Sequence, residues 1–102
     1  MVLEVAILDI REGQTKDFEK AFKKASPLIA SIPGYISHEL RKSVEGAHRY
    51  ILLVSWEKLE DHTISFRQSE VYKDWKKSLH HFYDPFPVVE HYVSLPLQED
   101  TK

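Results

Sequence analysis

The stretch YISHELRKSVEGAHRYILLVSWE, residues 35–57, stands in the middle of the chain and organises everything around it. From Tyr35 to Val44 the residues alternate, with Ile36, His38 and Leu40 on one side and Ser37, Glu39 and Arg41 on the other, the period of a strand. Glu45-Gly46-Ala47-His48 has the composition of a hairpin turn, and Arg49 to Glu57 is the most hydrophobic run of the sequence. Two strands joined by a short turn pair antiparallel. What lies outside the hairpin then decides the topology.

Upstream, Phe18, Ala21, Phe22, Ala25, Leu28, Ile29 and Ile32 recur at helical spacing, with Thr15 as the expected N-cap and Asp17 in the first turn. Glu19 and Lys23 form an i,i+4 pair on the outer face. Pro27 is expected to kink this helix or tighten its second half, and Pro33-Gly34 to end it. Before it, Val2 to Ile10 is a strand, apolar on most of both faces. MVLEVAILDI carries Glu4 and Asp9 and has no basic lead-in or small-residue cleavage site, so it reads as a strand and not as a signal peptide.

Downstream, a helical region comes in two pieces. Lys58 to Arg67 puts Leu59, Thr63 and Phe66 on one face, with His62 beside them. Ser69 reads as a fresh N-cap, and Val71, Tyr72, Trp75, Leu79 and Phe82 form one stripe. In Asp84-Pro85-Phe86-Pro87 each proline restricts the residue before it, which ends the helix and leads into a last strand, Val88 to Leu95.

The order strand, helix, strand, strand, helix, strand predicts an α+β, ferredoxin-like βαββαβ domain over residues 1–97. Both helices lie on one face of a four-stranded antiparallel sheet, and residues 98–102 form a polar tail. The other face, with Ile51 and Leu53, would then be apolar and wet, and a second copy packed sheet to sheet would bury it. An RNA-binding domain shares this element order. It needs stacking aromatics and two glycines on the third strand, where this chain has Ile51, Leu53 and no glycine. A net charge of −2 with 29% charged residues also argues against a nucleic-acid partner. No apolar run is long enough to span a membrane. Without cysteine the chain has no thiolate chemistry, which suits the cytoplasm.

Several segments together resemble the antibiotic biosynthesis monooxygenase (ABM) domain family of the dimeric α+β barrel superfamily. They are Ile32-Pro33-Gly34-Tyr35, Tyr50 to Glu57, Glu60-Asp-His-Thr63, Phe66-Arg67-x-Ser69, Tyr72-x-x-Trp75 and the run His81 to Tyr92. The resemblance implies a homodimer formed through the open sheet face and oxidation of a phenolic or quinol-type aromatic by dioxygen, with no metal and no cofactor. A base takes a phenolic proton, the anion reduces oxygen, and a dry aromatic pocket holds both. The alternative within the same superfamily is a non-catalytic barrel that binds a small ligand or serves as a stress-related partner protein. A heme-degrading branch is similar in fold but uses a first-strand Asn and a helical His ligand. Those positions match Ala6 and Lys76, so heme is not expected.

Within that framework His62 is the candidate general base. At roughly 100° per residue it lies about 60° from Leu59 and about 40° from Phe66, at the border of the apolar face. Its structural alternative is a hydrogen bond that locks the two-piece helix. Phe66, Tyr72 and Trp75 are core residues at helical spacing that would also wall a cavity. Arg67 would hold an anionic oxygen or form a salt bridge to a neighbouring acid. His38 on its strand, Tyr83 and His91 complete the candidate pocket, and Trp56 is expected to pack under the hairpin or a dimer contact. His80 and His81 project about 140° and −120° from Trp75, away from the core, and make no metal pair.

Overall fold

The computed structural model describes residues 1–97, so the expected polar tail at 98–102 lies outside the described residues. The strands are β1 (Val2–Asp9), β2 (Tyr35–Lys42), β3 (Arg49–Trp56) and β4 (Val89–Tyr92), and the helices α1 (Thr15–Ala30) and α2 (Glu70–Leu79). A single π-helical segment, Asp61–Phe66, precedes α2, and a 3-10 turn, His80–Phe82, follows it. The sheet order is β2-β3-β1-β4 with every pair antiparallel, the expected ferredoxin-like topology.

Alternation along β1 and β3 sorts their side chains cleanly. Glu4, Ala6 and Leu8 of β1 and Tyr50, Leu52, Val54 and Trp56 of β3 are buried toward the helices. Phe18, Phe22, Ala25 and Ile29 of α1 and Trp75 and Leu79 of α2 meet them there. Aromatic rings knit this layer, with Phe18 5.0 Å from Tyr50 and Phe22 5.7 Å from Trp75, centroid to centroid.

Local chemistry modifies several expectations. Helix α1 runs on through Pro27 to Ala30. The Lys23 carbonyl, which the proline cannot satisfy, accepts a hydrogen bond from the Ser26 hydroxyl (3.1 Å). Thr15 is the first helical residue, and Gln14 before it makes no side-chain cap. Glu19 turns away from Lys23 to accept a hydrogen bond from the Tyr50 hydroxyl (2.5 Å), with Lys42 3.7 Å away, and so ties α1 to the hairpin. Ser69 caps α2 as expected, accepting from the Tyr72 amide. Gly34 ends the α1 passage at φ 93°, and a Cβ there would run into the Asp61 carboxylate.

Two strands differ from their sequence patterns. A register shift between Tyr35 and Ser37 inserts Ile36 as an extra residue of β2, so it is exposed and does not share a face with His38 and Leu40. Strand β4 stops at Tyr92 and not at Leu95, because Tyr92 already pairs with Leu3 and its antiparallel partner then runs out at Val2. The return to β4 is stitched to the end of β1. The Asp84 amide donates to the Asp9 carbonyl (2.8 Å), and the Arg11 amide to the Phe82 carbonyl (2.9 Å). The Asp84–Pro85 peptide is cis.

The helix-free face carries Leu3, Val5 and Ile7 beside Ile51 and Leu53, with Tyr92 at its edge, as the alternation requires. Among the described residues, no helix is long and apolar enough to cross a membrane.

Candidate active site

A cavity of about 360 Å³ opens between the sheet and α2. Its floor is Glu4, Ala6 and Leu8 of β1 with Leu52 of β3. One wall is His62, Phe66 and Arg67 followed by Tyr72 and Trp75, and the other is the return segment, with His80, Tyr83, Phe86, Pro87 and Val89. Phe66 stands edge-on to Tyr72 (5.0 Å) and to Trp75 (5.6 Å), giving a stiff aromatic lining.

The polar centre is Glu4, a carboxyl only 4% exposed in the middle of an aliphatic strand. Its Oε1 accepts a hydrogen bond from the Trp56 indole N–H (2.9 Å) and lies 3.4 Å from His62 Nε2. On its other side His62 is linked through Nδ1 to His91 Nε2 (2.8 Å). A neutral imidazole has one ring proton. Placed on Nε2 it faces the carboxylate and leaves Nδ1 to accept from the His91 Nε2–H. The π segment makes this possible. It is marked by the Arg67 amide donating back to the His62 carbonyl, and its buried residues are His62 and Phe66. His62 is stacked on Trp56 (5.6 Å), and Phe66 packs against both rings (6.1 and 6.0 Å).

Burial sets the electrostatics. It pushes the Glu4 carboxyl up to about 7, against the opposing pull of the Trp56 hydrogen bond and of the Arg67 charge. It lowers His62 to about 3, with Arg67 and His91 acting in the same direction. His91 is lowered by burial and then by Arg67. Tyr83, buried beside Glu4, is raised by burial and by that carboxylate. Near neutral pH the centre therefore holds a neutral imidazole beside a carboxyl group that readily takes or gives a proton.

The sequence pattern of the antibiotic biosynthesis monooxygenases matches residues 1–78. The chain is also 54% identical over 92 residues to the uncharacterised protein YczJ of Bacillus subtilis (strain 168), covering 90% of this chain and 97% of that one. The chain belongs to the antibiotic biosynthesis monooxygenase family. Among solved structures, a candidate member of that family from Bordetella bronchiseptica superposes with a TM-score of 0.89 at 30% identity, covering 93% of this chain and 97% of that one. SnoaB of Streptomyces nogalater, a cofactor-independent oxygenase, superposes with a TM-score of 0.80 at 15% identity over 93% of each chain, a likeness of fold.

In this family member the expected residues His62, Phe66, Arg67, Tyr72, Trp75 and Tyr83 all line one cavity. His38 does not. It stands in a separate groove beside α1 with Phe22, Leu40 and Tyr50, its Nδ1 2.6 Å from the Tyr35 hydroxyl. Ala6 is part of the cavity floor, and the Lys76 ammonium lies over the Tyr72 ring (5.4 Å). His80 turns into the cavity, because α2 gives way to a 3-10 turn after Leu79 and the angular count of a continuous helix fails there. Trp56 is fully buried under the π segment and not at the hairpin. Arg67 has no salt bridge to a neighbouring acid among the described residues. Glu4 escaped the sequence reading. The available signal was its place in step with Ala6 and Leu8, on the inward face of β1.

Proposed function

We propose that the protein oxidises a small phenolic or quinol-type aromatic with dioxygen in this cavity, and that the Glu4–His62 pair accepts the phenolic proton. The observation that carries the reading is a buried carboxyl–imidazole pair set in an aromatic cavity. The Glu4 Oε2 takes no hydrogen bond from the described residues, so one lone-pair site is left for a substrate hydroxyl. His62 Nδ1 is engaged by His91 and its Nε2 lies 3.4 Å from the Glu4 carboxyl, so the oxygen of Glu4 is the better placed acceptor and His62 its support. His91, half-buried on edge strand β4, fixes the orientation of the His62 ring through its hydrogen bond to Nδ1.

Once deprotonated, the electron-rich anion reduces dioxygen, one oxygen atom enters the product, and the other leaves as water with two hydrogens of the substrate. The aromatic walls exclude water from the reactive anion. This chemistry is consistent with membership of the family and with the description of SnoaB as a cofactor-independent oxygenase. The test is oxygen uptake by metal-free protein against quinols, anthrones and naphthols. Uptake that requires the protein and falls by about tenfold to a hundredfold in His62→Ala is the expected result. A folded protein that consumes no oxygen with any of them would replace the oxygenase with a ligand-binding role.

The helix-free face supports a second part of the reading, a homodimer packed sheet to sheet. Leu3, Val5, Ile51 and Leu53 form an apolar surface with no helix over it. Sedimentation equilibrium should give twice the chain mass for the native protein and a monomer for Leu53→Glu. A native monomer at micromolar concentration would contradict it.

A further inference from the structure

Arg67 lies on the rim of the cavity, exposed, one residue past the π segment. The other arginines are each neutralised by a carboxylate: Arg11 by Asp84 (3.5 Å), Arg41 by Glu39 (3.0 Å) and Arg49 by Asp9 (2.8 Å). Arg67 has no ion pair and no side-chain hydrogen bond among the described residues. Its charge still reaches the interior, where it opposes the effect of burial on Glu4 and lowers His62 and His91.

Arg67 is the one arginine among the residues lining the cavity, and no lysine stands with it. Glu4 is the only acid among them, and it is not paired with Arg67. A planar guanidinium with its donors free, at the lip of an aromatic-walled cavity, matches a carboxylate in charge and in two-point geometry. The volume, about 360 Å³, is close to the lower end of the roughly 300–1,000 Å³ range of ligand sites, which suits one or two rings.

We infer that the substrate is a one- or two-ring hydroxylated aromatic acid, its carboxylate held by Arg67 and its phenolic oxygen directed to Glu4. This rests on the oxygenase reading for the role of the hydroxyl, but the grip on the carboxylate can be measured without any reaction. Isothermal titration calorimetry under argon would compare 6-hydroxy-2-naphthoate, whose hydroxyl and carboxylate stand at opposite ends of the two rings, with its neutral primary carboxamide, on the native protein, Arg67→Gln and Arg67→Lys.

The expected result is binding of the carboxylate at least about tenfold tighter than the amide. Arg67→Gln should abolish that preference by weakening carboxylate binding far more than amide binding, and Arg67→Lys should retain part of it. Because the Arg67 side chain is exposed and unpaired among the described residues, both variants should keep the native fold. Equal affinities, a preference that survives Arg67→Gln, or no binding by either compound would overturn the inference. Aerating the same samples separates the two readings. Carboxylate-selective binding without oxygen uptake keeps the anion site and removes the oxygenase. Uptake with neutral naphthols and no selectivity does the reverse.

Discussion

Replacing Glu4 with Gln should lower kcat/KM for oxygen uptake by about a hundredfold or more while leaving the fold intact, the scale at which a positioned general base contributes. Gln is nearly isosteric, can still accept the Trp56 hydrogen bond, and removes only the capacity to take a proton. The pH dependence gives an independent check. The carboxylate is the active form of the base and burial raises it to about 7, so native activity should climb with pH through that region and fall below it. The Gln variant should keep only a flat residue. An unchanged rate in Glu4→Gln would remove Glu4 from the chemistry altogether.

The same substitution has a signature in stability. A carboxyl raised on folding favours the folded state fully below its ordinary value of 4.5, and that contribution is lost as pH rises to about 7. His62 works with the opposite sign. Its contribution is present above its ordinary 6.5 and is lost as pH falls toward 3. Urea midpoints measured from pH 4.5 to 7 should therefore show Glu4→Gln gaining on the native protein as pH rises. A constant difference across that window would mean that Glu4 ionises normally.

Trp56→Ala should be the most damaging single change to the fold, costing about 3–5 kcal/mol, a large part of the stability of a domain this size. The indole is fully buried, packs edge-on against Tyr35 (6.2 Å) and stacks on His62, and its N–H supplies the Glu4 hydrogen bond. Truncation opens a void and strips a buried acid of its donor at once. Trp56→Phe separates the two, since it fills most of the space and loses only the donor. It should cost about 1–2 kcal/mol and move the activity profile to higher pH, because that hydrogen bond holds the Glu4 value down. A denaturation midpoint for Trp56→Ala indistinguishable from native would show that the ring carries little of the packing assigned to it.

Periodicity made the framework legible. The alternation of β1 and β3 and the helical spacing of Phe18, Phe22, Ala25 and Ile29 translate directly into the buried layer. The centre of the site was less legible because its parts come from distant places in the chain. Glu4 becomes meaningful only when Trp56, fifty-two positions away, is folded over it. His62 could be assigned to the apolar border from helical angles, but not its double engagement, because a π turn leaves no mark in a 3.6-residue pattern. His80 was misdirected by the same arithmetic beyond the end of α2. The strand histidines have the same alternating pattern, yet His38 ends in a side groove and His91 against His62, a difference set by which strand each occupies in the sheet.

The return segment between α2 and β4 has a consequence for how this cavity can change. His80, Tyr83, Phe86, Pro87 and Val89 close one whole side of it, and all five lie past the stretch that matches the family pattern. Glu4, His62 and the floor lie within that stretch, whereas the opposite wall lies outside it and is tied to the end of β1 through Phe82 and Asp84. Exchanging residues 84–88 between relatives should therefore change which compounds the cavity binds while leaving Tyr83 in place beside Glu4.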